Sequence, residues 1–202
     1  MSNWKLKIRI AHRAGDFLYH SHIYHKAIDL FKEAQVLLNE CEFEVEYFNF
    51  SQMLFHYKLA LSYVGLNDFT EALESYRRLL RVNEGIGNKG CEVIAYRGIS
   101  DIHRLMGKHV QSIFFLRKLL QVAKETGNKR DEIAAFATIG DSYYYLGKQD
   151  LSIKCQSDAL KICKEIGDKE TEGDILRELG GKYRNLAGYP EAIRYLEKSL
   201  EI

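Results

Sequence analysis

Proline is nearly missing from this chain: Pro190 is the only one in 202 residues, where average usage would supply about ten. Cysteine is sparse too. Cys41, Cys91, Cys155 and Cys163 lie far apart with no C-x-x-C pair, so they form no disulfide framework and read as reduced thiols of a cytosolic protein. No apolar run approaches the roughly 18 residues that a spanning helix takes, so no membrane insertion is expected. Charges interrupt every apolar stretch of the opening MSNWKLKIRIAHRAGDF, which is not how a secretory signal is built. An excess of one charge is also lacking, with 29 Lys and Arg against 28 Asp and Glu and a formal net charge of +1. That balance excludes a disordered polyelectrolyte and removes the bulk basicity of a general nucleic-acid binder. What remains is 46% hydrophobic and 12% aromatic, the makings of a packed, all-helical core.

The chain repeats itself. Gly87-Asn88-Lys89, Gly127-Asn128-Lys129 and Gly167-Asp168-Lys169 are forty residues apart, and the windows 88–127 and 128–167 share 14 identities in 40 positions, where chance supplies about two or three. Each unit carries two amphipathic helical patterns. In the first helix Ile99, His103 and Met106 match Ile139, Tyr143 and Leu146, then Leu179, Tyr183 and Leu186. In the second, Ile113, Leu116 and Leu120 match Ile153, Gln156 and Leu160, then Ile193, Leu196 and Leu200. Gly107-Lys108 and Gly147-Lys148 divide the two helices, where a glycine can take the left-handed conformation that stops a helix. The register extends backwards through Gly15, Ala27, Phe31 and Ala34, with 45 residues instead of 40 between Ala27 and Ala72. The five extra residues lie around Asn39–Tyr47. There Glu42–Tyr47 alternates polar and apolar like a strand, yet its carboxylates suit the start of a helix and a lone strand would have no partner. A helix is expected.

Small residues recur where two helices must approach closely: Ala60, Ser100, Gly140 and Gly180 in the first helix, Ala72, Ser112, Ser152 and Ala192 in the second. With the large Tyr63, His103, Tyr143 and Tyr183 three positions on, and Pro190 in the first turn of a second helix, this pattern resembles the tetratricopeptide repeat. The ordinary repeat of that family has 34 residues and a proline closing the second helix. Here Glu84, Lys124 and Lys164 stand in that place, so the second helix continues for about one and a half turns more. The forty-residue form with its GNK or GDK turn looks like the Pins-type spindle-orientation adaptors, and more loosely like rapsyn and the kinesin light chains. The resemblance implies a non-enzymatic cytoplasmic scaffold, with the cytoskeleton as a further association. Pins-type repeats carry an asparagine ladder along the groove, and this chain has Leu61, Asp101, Asp141 and Gly181 at that position.

Other chemistry is poorly supported. Gly85-Ile86-Gly87-Asn88-Lys89-Gly90 is a literal G-x-G-x-x-G, but a phosphate cradle follows a strand and here a helix precedes. The segment reads as a turn between repeats. His20, His22 and His25 cluster at the first hairpin turn without the further ligands a zinc site takes, and read as exposed turn histidines. No nucleophile elbow, acid–base carboxylate pair or Cys–His arrangement emerges, so neither a catalytic step nor a cofactor or metal is expected.

The expected architecture is an all-α, right-handed solenoid of five hairpins, at 6–40, 46–86, 88–127, 128–167 and 168–202. It is read as a single array. The last unit stops inside its second helix, which points to a longer array or to self-association through an uncapped end. On the first-helix face turned away from the packing residues, Arg97, Asp101 and Arg104 share one stripe at i, i+4, i+7. Arg13 and Asp16, Tyr57 and Lys58, Asp141 and Tyr144, and Arg177 and Arg184 stand on the equivalent stripes. Arginine and tyrosine anchor interfaces, guanidinium groups take carboxylates in bidentate fashion, and the stripe has a modest positive excess once Arg9 is included. The expected function is an adaptor that captures another protein through an extended or helical, acidic segment in the groove lined by the first helices. Two further readings stand beside it. One is a bacterial-type peptide-sensing regulator, with which the segment NFSQMLFHYKLALSYVGLNDFTEALESYRRLL shares some flavour. The other is an RNA-binding helical array, disfavoured because positions 57, 97, 137 and 177 (Tyr, Arg, Ala, Arg) form no base-reading code.

Overall fold

The computed structural model describes residues 4–40 and 44–202. Among the described residues every regular element is an α-helix, and no helix is long and apolar enough to cross a membrane. The chain divides into two compact units, Met1–Ile102 and His103–Ile202. The first holds α1 (Trp4–His20), α2 (Tyr24–Glu40), α3 (Val45–Gly65), α4 (Phe69–Glu84) and most of α5 (Lys89–Leu105). The second holds the end of α5, then α6 (His109–Thr126), α7 (Lys129–Tyr145), α8 (Gln149–Ile166), α9 (Lys169–Asn185) and α10 (Tyr189–Leu200). The ambiguous stretch after Asn39 is helical from Val45, while Cys41–Phe43 lie outside the described residues. Helix α4 ends at Glu84, and α6 and α8 end two residues past Lys124 and Lys164, so the second helices stop short of the extension of one and a half turns expected beyond those positions.

Within the first unit α1 packs on α2, α2 on α3, and α3 on α4. Phe31, Leu38, Phe55 and Leu79 are its largest fully buried side chains. In the second unit α6 packs on α7, α7 on α8, α8 on α9, and α9 on α10, with Leu119, Leu176 and Leu179 inside. The small residues sit where the hairpin arms meet: Ala27, Ala60, Ala72, Ser112 and Ser152 have no exposed surface. A methyl group built on Gly15 would stand 2.5 Å from the Phe31 ring, and one on Gly140 would stand 3.1 Å from the Ser152 carbonyl oxygen.

Each hairpin turns in three residues, and the middle one is always left-handed: His22, Asn67, Gly107, Gly147 and Ala187 have φ of 59 to 70°. The amide after it donates back to the carbonyl five residues earlier, as from Lys148 to Tyr143 at 2.9 Å and from Gly188 to Tyr183 at 2.9 Å. This closes the helix in a Schellman-type stop. Between hairpins Gly87, Gly127 and Gly167 are left-handed too, and the next residue caps the following helix. Asn88 Oδ1 accepts from the Cys91 amide at 3.1 Å, Asn128 from Asp131 at 3.2 Å, and Asp168 from Thr171 at 3.2 Å. The lysine of the motif then reaches a glutamate one turn on: Lys89 to Glu92 (3.3 Å), Lys129 to Glu132 (3.0 Å), Lys169 to Glu172 (2.8 Å). At 127–129 and 167–169 the triplets are thus stop, cap and charge anchor in sequence, while at 87–89 the helix has already ended at Glu84; each cap contributes about 1 kcal/mol. The G-x-G-x-x-G stretch is one of these turns.

The left-handed turn gives a direct test. An L-residue there is strained by about 1–2 kcal/mol, partly offset by the freedom glycine regains on unfolding. Gly147→Ala should therefore lower stability by about 1 kcal/mol in urea unfolding, and Ala187→Gly should raise it by about 0.5 kcal/mol.

Candidate functional site

In the first unit the exposed arginines Arg9 and Arg13 stand one turn apart on α1, over a cleft of about 210 Å³ between α1 and α3. Ile8, His12, Tyr47, Phe50, Leu54 and Phe55 line the rest. Among the described residues neither arginine meets a carboxylate. Asp16, one turn beyond Arg13, is occupied: Lys58 Nζ of α3 lies 2.8 Å away and His12 Nδ1 3.5 Å. His12 is half-buried against the rings of Phe31 and Phe55, and that burial lowers its pKa. Phe50 and Leu54 also wall a second, apolar hollow of about 270 Å³ reaching Tyr57, Leu79, Cys91 and Ile94. Two guanidinium groups therefore lie at one end of a surface whose other end is greasy, with Phe50 62% exposed between them. Arg97, exposed, and Asp101, half-buried, sit further along α5 and interact with neighbouring groups.

The second unit uses its polar residues differently. Arg104 is exposed on the last turn of α5 and also has interactions of its own. Asp141 of α7 accepts from Lys182 Nζ of α9 at 2.9 Å and from Gln156 Nε2 of α8 at 3.3 Å. The same Gln156 amide donates to Glu178 at 2.8 Å. Burial, with Asp141 nearby, pushes the Glu178 carboxyl up. Tyr144 OH accepts from Asn185 Nδ2 at 2.8 Å. Arg177 is held by Asp174 at 2.6 Å, and Arg184 is exposed.

The sequence stripe thus splits in two. Asp16 with Lys58, and Asp141 with Lys182, tie one first helix to the next, because neighbouring first helices lie close enough for a lysine to span them. Arg9 and Arg13 remain exposed and without a carboxylate partner among the described residues. Periodicity did not single out Lys182 and placed Gln156 only as a packing position, although a lysine where Ser62, Ile102 and Ser142 are fully buried or nearly so, and a glutamine where Leu116 and Leu196 stand, were visible departures. Phe50 falls just after the irregular 45-residue spacing, where no repeat template applies. His20, His22 and His25 are exposed, and no group of three ligand-type side chains among the described residues could hold a metal. Cys91, Cys155 and Cys163 are free, and burial pushes the Cys91 and Cys163 thiols up to about 11.

Two predictions follow from these polar contacts. Lys182→Met leaves Asp141 facing Glu178 without a cation and should cost about 1–2 kcal/mol, most of it recovered by adding Asp141→Asn; urea unfolding of the three variants checks this. Burial, aided by Arg78 and Arg81, lowers the His56 pKa to about 4, and its Nδ1 faces Gln35 Nε2 at 3.3 Å. The unfolded chain binds that proton first, so this stabilisation is complete above pH 6.5 and is lost as pH falls towards 4. Between pH 7 and pH 5 the wild type should lose about 2 kcal/mol through this group, and His56→Gln should flatten that slope.

Comparison with known proteins bears on the fold. No curated protein matches the sequence. Among solved structures, the apo form of RapI is 17% identical with a TM-score of 0.81, over 95% of this chain and 68% of that one. A signal-transduction ATPase with numerous domains and a tetratricopeptide repeat sensor, from Pyrococcus horikoshii, is 23% identical with a TM-score of 0.76 over 98% of this chain, which spans 29% of that protein. Kinesin-light-chain-like repeats from Podosopora anserina are 13% identical with a TM-score of 0.76, over 100% of this chain and 96% of that one. These likenesses show the fold, and the finer resemblance to Pins-type adaptors and rapsyn rests on the sequence motifs alone. Models of the tetratricopeptide repeat match residues 55–85 and 131–202, together just over half of the chain, which belongs to the tetratricopeptide repeat family.

Proposed function

We propose that this chain is a non-enzymatic interaction module that captures an acidic segment of another protein on its first-helix surface. The observation that carries the reading is the pair Arg9 and Arg13, without carboxylate partners among the described residues, over a cleft that shares Phe50 and Leu54 with an apolar hollow. A guest with a carboxylate followed by one or two apolar side chains meets both ends of that surface. Charge-assisted, bidentate bonds to guanidinium would fix its direction, and burial of the apolar residues would supply most of the affinity. Arg13, Tyr57 and Arg97 extend the surface within the first unit. Arg104, Tyr144, Arg177 and Arg184 are proposed as further contacts on the second. Asp16, Lys58, Asp101 and Asp141 act as members of the surface by holding its shape and setting its charge.

A second reading, a ligand-sensing array, draws on the likeness in fold to RapI and to a protein named for its tetratricopeptide repeat sensor. The two differ in one observable. A sensor contracts when its ligand arrives, and its radius of gyration in small-angle scattering falls, whereas an adaptor's does not.

The adaptor reading is tested by affinity capture and mass spectrometry on wild type, Arg9→Glu/Arg13→Glu and Arg97→Glu/Arg104→Glu. Partners with acidic segments should be lost from the first double variant, with affinity lower by about tenfold or more. Helicity and melting should stay near wild type in both variants. The same set of partners on all three proteins would overturn the proposal.

A further inference from the structure

We infer that the second unit carries a separate docking site, on the outer side of α6, for a protein segment that combines an apolar anchor with carboxylates. The first sign is a break in the repeat pattern. Two residues after the small residue of each second helix the chain has Asp29, Glu74, Lys154 and Arg194, all charged, but Phe114 in α6. Two residues before it stand His25, Thr70, Asp150 and Pro190, but Val110 in α6. Phe114 and Val110 are 55% and 64% exposed, so the exchange puts apolar surface into water where the other second helices, Pro190 apart, carry polar or charged residues.

These side chains also rim a cleft. It is an open depression of about 550 Å³ between α6 and the α7–α8 turn. Its floor is Ile113, Tyr143 and Leu146, and its polar residues are Arg117, Lys118, Gln121 and Lys148, with no carboxylate among them. Arg117 donates to Tyr143 OH at 2.9 Å. Among the described residues neither Arg117 nor Lys148 has an acidic partner. The Lys118 ammonium lies 5.0 Å from the Phe114 ring centre, where it also faces the cleft. Beside Val110 the His109 and Tyr145 rings stack at 4.9 Å, and Tyr145 is 68% exposed.

Charge complementarity selects the occupant. An aliphatic or aromatic side chain fills the apolar floor while its neighbouring Asp or Glu residues reach Arg117 and Lys148. A chain of net charge +1 lacks the broad basic field that nucleic acid or an anionic membrane surface requires. This site does not depend on the first-helix surface, so one molecule could hold two partners at once.

The test is selection of a displayed random dodecapeptide library on the full chain, with counter-selection on Phe114→Ser/Arg117→Glu. Peptides pairing an apolar residue with Asp or Glu should be enriched. Their synthetic forms should bind wild type and Arg9→Glu/Arg13→Glu alike, and Phe114→Ser/Arg117→Glu about tenfold or more weakly. Because Arg117→Glu removes the bond to Tyr143, Val110→Asp/Lys148→Glu serves as a second variant and should lose the same peptides. The inference is overturned by no enrichment, by enriched peptides without carboxylates, or by equal binding to both cleft variants. It is also overturned if phosphatidylserine vesicles or oligothymidylate, and not peptides, bind in a manner that depends on Phe114.

Discussion

Everything in this protein depends on how closely two helices can approach at the middle of each hairpin. Ala60, Ala72, Ser112 and Ser152 lie fully buried at those crossings, and at Gly15 even a methyl group would run into the Phe31 ring. Close approach lets the large residues a turn away interlock, and it fixes which face of each helix remains for solvent or a partner. The turns follow from the same requirement. Arms that touch at the centre can be joined by three residues only if the middle one is left-handed, and five turns out of five obey this.

Most of that was legible before any coordinates. The repeat spacing located the hairpins, the small residues located the crossings, and the GNK and GDK triplets located the turns, because each of these is a local chemical demand repeated every forty residues. The candidate site was less legible. Periodicity places a residue on a face without saying what stands opposite it. Asp141 and Arg13 lie on equivalent stripes, yet Asp141 is met by Lys182 from α9 while Arg13 faces an open cleft. That difference comes from one residue forty-one positions away. The clefts at Phe50 and Phe114 were harder still, since they depend on departures from the pattern and not on the pattern.

The polar residues of the first helices therefore serve two ends. Some, Asp16 and Asp141, are carboxylates that pair with a lysine of the next first helix. Others, Arg9 and Arg13, meet no carboxylate among the described residues. The partly buried pairs at Asp16 and Asp141 also decide which charges are left over. With a net charge of +1, the local surplus around Arg9 and Arg13 matters more than the total.

The inter-hairpin turn has a consequence for how such a chain changes over generations. At 127–129 and 167–169 each turn carries its own helix stop at glycine, its own cap at Asn or Asp, and a lysine whose glutamate lies three residues later in the same stretch. A duplication or deletion cut at that glycine moves the whole set together and leaves no helix end exposed without its partners. Array length can then vary in steps of one hairpin, while outward residues such as Phe114 are free to differ from copy to copy.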